Sequence, residues 1–264
     1  MAELRRVAIE LSEEFPSLAH PPIVEAVIEI RARAAAGWSD ELLRREMAAR
    51  LPEYPQQRTQ RDVEMEMRID VAGTTEQRHR DAWRGVRVTS SDQSQIVQFN
   101  RDGFVFSRVP PYCGWRAFHE EALRVLVVYL DMAQPTEIER VGLRFINRIL
   151  PDAPATSLRD LVREWPGPPK GLDLPVLGSL HRDVFQVTGQ PYAVARVQAI
   201  ETAPIGAADS PGLVLDIDVF TTEPCLPILA DIERHAGSMH WLKNKVFFGS
   251  VSEQALAIFQ RTET

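Results

Sequence analysis

Arg140, Arg144 and Arg148 recur every four residues in the segment EIERVGLRFINRIL, 137–150. Alternate residues of a strand share a face. Read as a strand, the segment sets the three guanidinium groups in line, with Gly142 and Ile146 between them. Val141, Leu143, Phe145 and Ile149 then form an opposite face that can be buried. An arginine fork binds a carboxylate or a phosphate through two parallel hydrogen bonds. The line is therefore solvated, neutralised by carboxylates, or shaped for an anion. A partner strand stands in 213–220, LVLDIDVF, where Asp216 and Asp218 share a face opposite Leu215, Ile217 and Val219. Salt bridges to Asp216, Asp218 or Glu139 are what the match of two charged faces predicts. The alternative is an anion site built from Arg140, Arg144, Arg148, Asp216 and Asp218.

A second constellation is Glu64-Met65-Glu66-Met67-Arg68, in which acidic residues alternate before a basic one. It resembles the opening signature of triphosphate-tunnel enzymes. The resemblance implies carboxylates on a barrel wall holding a divalent metal, with Glu64 and Glu66 as ligands for Mg²⁺ or Mn²⁺ and the arginine strand holding phosphate. The motif lies well inside the chain, and alternating glutamates also suit a solvated strand face. Lys243 and Asn244, with Lys245, are read at a helix end, where cations and an amide satisfy carbonyls. They are the remaining candidates for ligand contact. His20, His79, His119, His181, His235 and His240 are scattered. His235 and His240 are five apart, which is not the spacing of two ligands on one helix face. No nucleophile elbow, zincin, P-loop or dinucleotide motif occurs, so no catalytic residue is assigned. Trp115, Phe118, Trp241, Phe247 and Phe248 are expected to form core.

The elements that must position these residues follow from periodicity. After a poorly structured lead-in over 1–20, or one short helix over 4–11, Pro21-Pro22 sets an extended entry to a strand over 23–32. Ser39 caps a helix over 40–50, a loop covers 51–60, and 62–72 alternates as a strand. Short antiparallel strands are expected at 86–89, 95–100 and 103–109. Trp115, Phe118, Ala122, Val125, Tyr129 and Met132 recur at helical spacing in a helix over 114–133, which Pro135 ends. Residues 151–180 are rich in proline and glycine and read as a connection, with a short helix at 158–164. A hairpin (183–189, 191–202) leads to the aspartate strand. A helix over 225–236, broken at Gly237-Ser238, continues over 239–248, and Ser252 starts a last helix over 253–261. The fold class is α+β: two similar halves, 21–150 and 181–264, with a mainly antiparallel sheet and long helices on one face.

PPIVEAVIEIR (21–31), GLRFINRI (142–149), LDIDVF (215–220) and LKNKVFFGSV (242–251), with YCGW-x-x-F at 112–118, resemble a sporadically distributed prokaryotic family of uncharacterised proteins. The resemblance spans most of the chain and implies no chemistry. Composition bounds the rest. Among 264 residues, 44% are hydrophobic and 25% charged, which fits a globular chain. A net charge of −7 argues against a nucleic-acid partner. Cys113 and Cys225 have no metal or redox spacing and read as reduced thiols of a cytoplasmic protein. The N-terminus lacks a signal-peptide apolar stretch, and no apolar run approaches the ~20 residues that span a bilayer. The expectation is a cytoplasmic binding or interaction module for a small anion or a protein partner, without a cofactor. A homodimer is left open, and a metal-dependent phosphohydrolase is the alternative.

Overall fold

A computed structural model describes residues 5–35, 37–69, 75–152, 157–165, 178–201 and 211–260, with side chains for all of these except 64–69, 75–80 and 201. Among the described residues, nine strands form one antiparallel sheet. In chain order they are β1 (Ile23–Arg31), β2 (Gln56–Ile69), β3 (Thr75–Thr89), β4 (Gln95–Asn100), β5 (Gly103–Arg108), β6 (Arg140–Ile149), β7 (Ser179–Gln186), β8 (Tyr192–Glu201) and β9 (Gly212–Thr221). Four helices accompany them: α1 (Asp40–Arg50), α2 (Trp115–Ala133), α3 (Leu229–Ser250) and α4 (Glu253–Gln260). The sheet order is β2-β3-β4-β5-β1-β6-β9-β8-β7, with β1 and β6 paired at its centre. The α+β class and the antiparallel sheet follow from this arrangement. No described helix is long and apolar enough to cross a membrane.

Register explains where the core lies. Val88, Val97, Phe106, Ile28, Leu143, Val219 and Val194 stand opposite one another on seven successive strands, from β3 to β8. All seven are buried. Paired residues share a face, so this row and its neighbours make one apolar surface. Helices α2 and α3 cover it. Phe118 of α2 reaches Phe106 and Phe145, with ring centroids 5.5 and 6.0 Å apart. The other face of the sheet carries the charged residues of β1, β6 and β9.

Three local departures from periodicity have physical reasons. Helix α3 runs unbroken through Gly237-Ser238. A glycine costs a helix interior about 1 kcal/mol, and burying Ile232, Ala236, Met239, Leu242 and Phe247 on the sheet outweighs that cost. Strand β2 begins at Gln56, inside the expected loop, and β3 reaches back to Thr75 through a polar run. Only 85–89 of β3 pair with β4, so most of the β2–β3 pair is a two-stranded ribbon. Ser39 does cap α1, its hydroxyl accepting from the Leu42 amide.

The lead-in is not a helix over its described part. It runs as an extended strap against the body. The Val7 amide donates to Thr188 and the His20 amide to Phe259, at 2.9 and 3.0 Å. Pro22 accepts from the Arg148 amide at 2.8 Å as the strap turns into β1.

Candidate functional site

The charged face is knitted by ion pairs. Arg144 donates from Nε and Nη2 to both oxygens of Asp216, at 2.8 and 2.5 Å. Arg140 bonds Glu29 of β1 and Asp218 of β9, the latter at 2.6 Å, and its guanidinium lies 4.5 Å from the Phe220 ring centroid. Gly142 makes room for it: a β-carbon there would stand 2.5 Å from Arg140 Nη1. Burial pushes the Asp218 carboxyl above its usual range, against the pull of Arg140. The carboxylates that face Arg140 and Arg144 thus already occupy the forks that an anion would need. Arg148 shares this face on β6, beside Gly212 of β9. A shallow concavity of about 340 Å³ over β1, β5 and β6 is lined by these pairs.

Glu64 and Glu66 do not join the arginine strand. They lie on the β2–β3 ribbon, and four strands separate β2 from β6. At about 4.8 Å per strand that is roughly 24 Å. A tunnel needs a closed barrel, whereas among the described residues the sheet is open, ending in β2 and β7. No cluster of His, Cys, Asp and Glu suited to a metal ion occurs among the described residues.

The sheet's other face holds a larger hollow, of about 730 Å³. Its walls come from four places. Strand β6 supplies Asn147, α3 supplies His240, Lys243 and Asn244, the start of α2 supplies Trp115 behind Tyr112, and the strap from Leu11 to Pro22 forms the remaining wall. The strap is pinned at Glu13, which accepts from Trp241 Nε1 at 2.9 Å and from Lys245 Nζ at 2.5 Å. Phe15 stacks on Phe248 with centroids 5.6 Å apart.

Lys243 is the unusual member. Only 8% of it is exposed. Its Nζ donates to Asn244 Oδ1 at 2.5 Å and stands 4.2 Å from the Phe145 ring centroid. No carboxylate pairs with it among the described residues. A buried ammonium without a counter-charge is costly, and burial pulls the Lys243 pKa from the ordinary 10.5 to about 7. His240 stands one turn earlier on α3, stacked on Trp115 at 4.0 Å. Burial first, then Lys243 and His119, hold its pKa down at about 3, so the imidazole is neutral. Burial also pushes the Tyr112 phenol up. Asn147 is 2% exposed, and its Nδ2 donates to the Leu215 carbonyl at 2.9 Å. The buried amine thus lines a space shared with aromatic rings and the neutral His240. Glu13, committed to Trp241 and Lys245, supplies the carboxylate on the strap side.

Lys243 and Asn244 are therefore not at a helix end: α3 continues to Ser250. Lys243 falls within the buried stripe Ile232, Ala236, Met239, Phe247. A lysine in such a stripe is the signal that could have marked it. Asn147 is a similar signal, because it takes an inward position between Phe145 and Ile149 on β6. Trp115, Trp241, Phe247 and Phe248 pack as core and also line the hollow. No protein-family model matches the chain, and no curated protein is significantly similar to it.

Proposed function

We propose that the chain is a binding module, and that its site is the hollow between the strap, α2, α3 and β6. The ligand is a small organic molecule with a flat apolar body and an oxygen-bearing head directed at Lys243. The observation that carries this reading is a buried amine, unpaired with any described carboxylate, beside a cavity of about 730 Å³. A concave, mostly apolar space with a few converging polar groups and a perturbed titratable residue is the usual form of a small-molecule site. The paired state of Arg140 and Arg144 speaks for a structural role of the opposite face.

Calorimetric titration with 2-naphthoate at pH 8, in two buffers of different ionisation enthalpy, tests the reading. Binding should take up a proton, because the carboxylate favours the charged amine, and it should vanish in Lys243→Met. No binding, or equal binding to Lys243→Met, sinks it. Melting with sulfate, phosphate, and triphosphate plus Mg²⁺ is run alongside. A rise that disappears in Arg144→Met would favour the phosphohydrolase reading instead.

We also propose that the sheet descends from a duplicated unit. Outward from the central β1–β6 pair, the order is β5, β4, β3, β2 on one side and β9, β8, β7 on the other. In each case a lone strand comes first and an antiparallel meander later, four strands (β2 to β5) before α2 and three (β7 to β9) before α3. On this reading the repeat boundary would fall between α2 and β6, rather than at residue 150. Superposing the two units tests it, and opposite helix placement would sink it.

A further inference from the structure

We propose that Lys243 is a carbonyl-capturing residue, forming an imine with an aldehyde or ketone bound in the hollow. The proposal rests on the cavity being a ligand site and names the chemical class of the ligand's head. The chain has three lysines, Lys170, Lys243 and Lys245, against 27 arginines among its 30 basic residues. Where a fixed positive charge suffices, this protein nearly always uses a guanidinium. The cavity wall holds an amine instead. The difference is chemical, because a guanidinium keeps its proton and is no nucleophile, whereas a desolvated amine can shed one and attack.

The setting suits that reaction. Nζ has one hydrogen-bond acceptor, Asn244 Oδ1, and one aromatic face, Phe145. The nearest titratable groups around the hollow are Glu13 on the strap, Tyr112 before α2, and His119 and His240 on α2 and α3. Glu13 is engaged by Lys245 and Trp241, and burial keeps His240 neutral. Nothing among these described groups forms an ion pair with the amine, so its lone pair is available when the proton leaves. In the step itself, Nζ bonds to the carbonyl carbon, giving a carbinolamine. The carbon–oxygen bond then breaks, and the oxygen departs as one water with the two hydrogens that the amine gave up. No oxidant or reductant enters, and the product is a C=N bond to Lys243.

The test uses 2-naphthaldehyde with cyanoborohydride, which reduces an imine to a stable secondary amine, followed by peptide mass mapping. 2-Naphthoate serves as the non-covalent control. The full-length protein should gain one naphthylmethyl group, on Lys243, at least about ten-fold faster at pH 7 than on Lys245, as expected of an amine with a lowered pKa. The rate should level off above a midpoint near pH 7. Naphthoate should compete with labelling, and Lys243→Met, checked for native circular dichroism, should lose it. Preferential labelling of Lys245 or of the N-terminal amine overturns the proposal, as does labelling unchanged in Lys243→Met. Naphthoate binding without imine trapping overturns the covalent step alone and leaves the binding reading standing. Failure of both removes both.

Discussion

Replacing Lys243 with methionine should stabilise the protein, and by an amount that depends on pH. Methionine keeps the unbranched apolar stem and removes the amine. The fall of the amine pKa from 10.5 to about 7 corresponds to about 5 kcal/mol. Because the folded-state value is the lower one, the unfolded chain binds more protons between these limits. The burial cost is then fully present below about pH 7 and fades as pH rises toward 10.5, so wild-type stability climbs over that window. Between pH 7 and pH 9 the climb is about 2 kcal/mol. The substitution also loses the bond to Asn244, about 1 kcal/mol, and the Phe145 contact, about 1–2 kcal/mol. At pH 7 Lys243→Met should therefore gain roughly 1–3 kcal/mol net. At pH 9 that advantage should shrink by about 2 kcal/mol. Urea denaturation of both proteins at both pH values measures it, and groups such as Cys225 titrate alike in each and cancel. A difference that stays constant from pH 7 to pH 9 refutes the reasoning, as does a Lys243→Met that is less stable at pH 7.

Arg140→Met should cost about 3 kcal/mol, because it strands Glu29 and Asp218, which are partly buried beside it. Arg144→Met should cost less, about 1–2 kcal/mol, since it strands one carboxylate, Asp216, rather than two; chemical denaturation giving the reverse order would mean the pairs matter differently. Phe145→Ala should lose roughly 3–5 kcal/mol, as truncation of a fully buried aromatic does; a loss below about 1 kcal/mol would contradict its place at the centre of the core. Glu13→Gln should loosen the strap, read as faster amide exchange over residues 11–20 with exchange in β6 unchanged. Equal exchange in both proteins would show that Phe15 and the backbone contacts hold the strap alone.

The faces of β6 and β9 were legible because each strand is buried on one side only, and such strands write their orientation into every second residue. Arg144 and Asp216 followed from that alternation. The continuity of α3 was not legible. Gly237-Ser238 is a local stop signal, and the apolar stripe that overrides it is satisfied only by a sheet assembled from distant segments. Lys243 was hidden for a related reason: local pattern assigns a lysine to water, while its burial depends on a distant segment, with Phe145 of β6 against its amine. The length of β3 was hidden because 75–84 is largely polar and pairs with β2 alone, so no apolar alternation marks it. In the strap, contacts are made by isolated residues such as Glu13 and Phe15, which follow no period.

The strap has a thermodynamic consequence beyond closing a wall. Any water that the seated strap keeps from Lys243 favours the neutral amine, so by reciprocity the proton would favour an open strap. Each opening should draw a proton onto Lys243 and each closure release one. Acid would then act as an effector competing with any neutral occupant, and an apolar guest would lower the amine's proton affinity merely by holding the strap shut. The segment that carries no regular secondary structure would thus set the working pH of the residue buried beneath it.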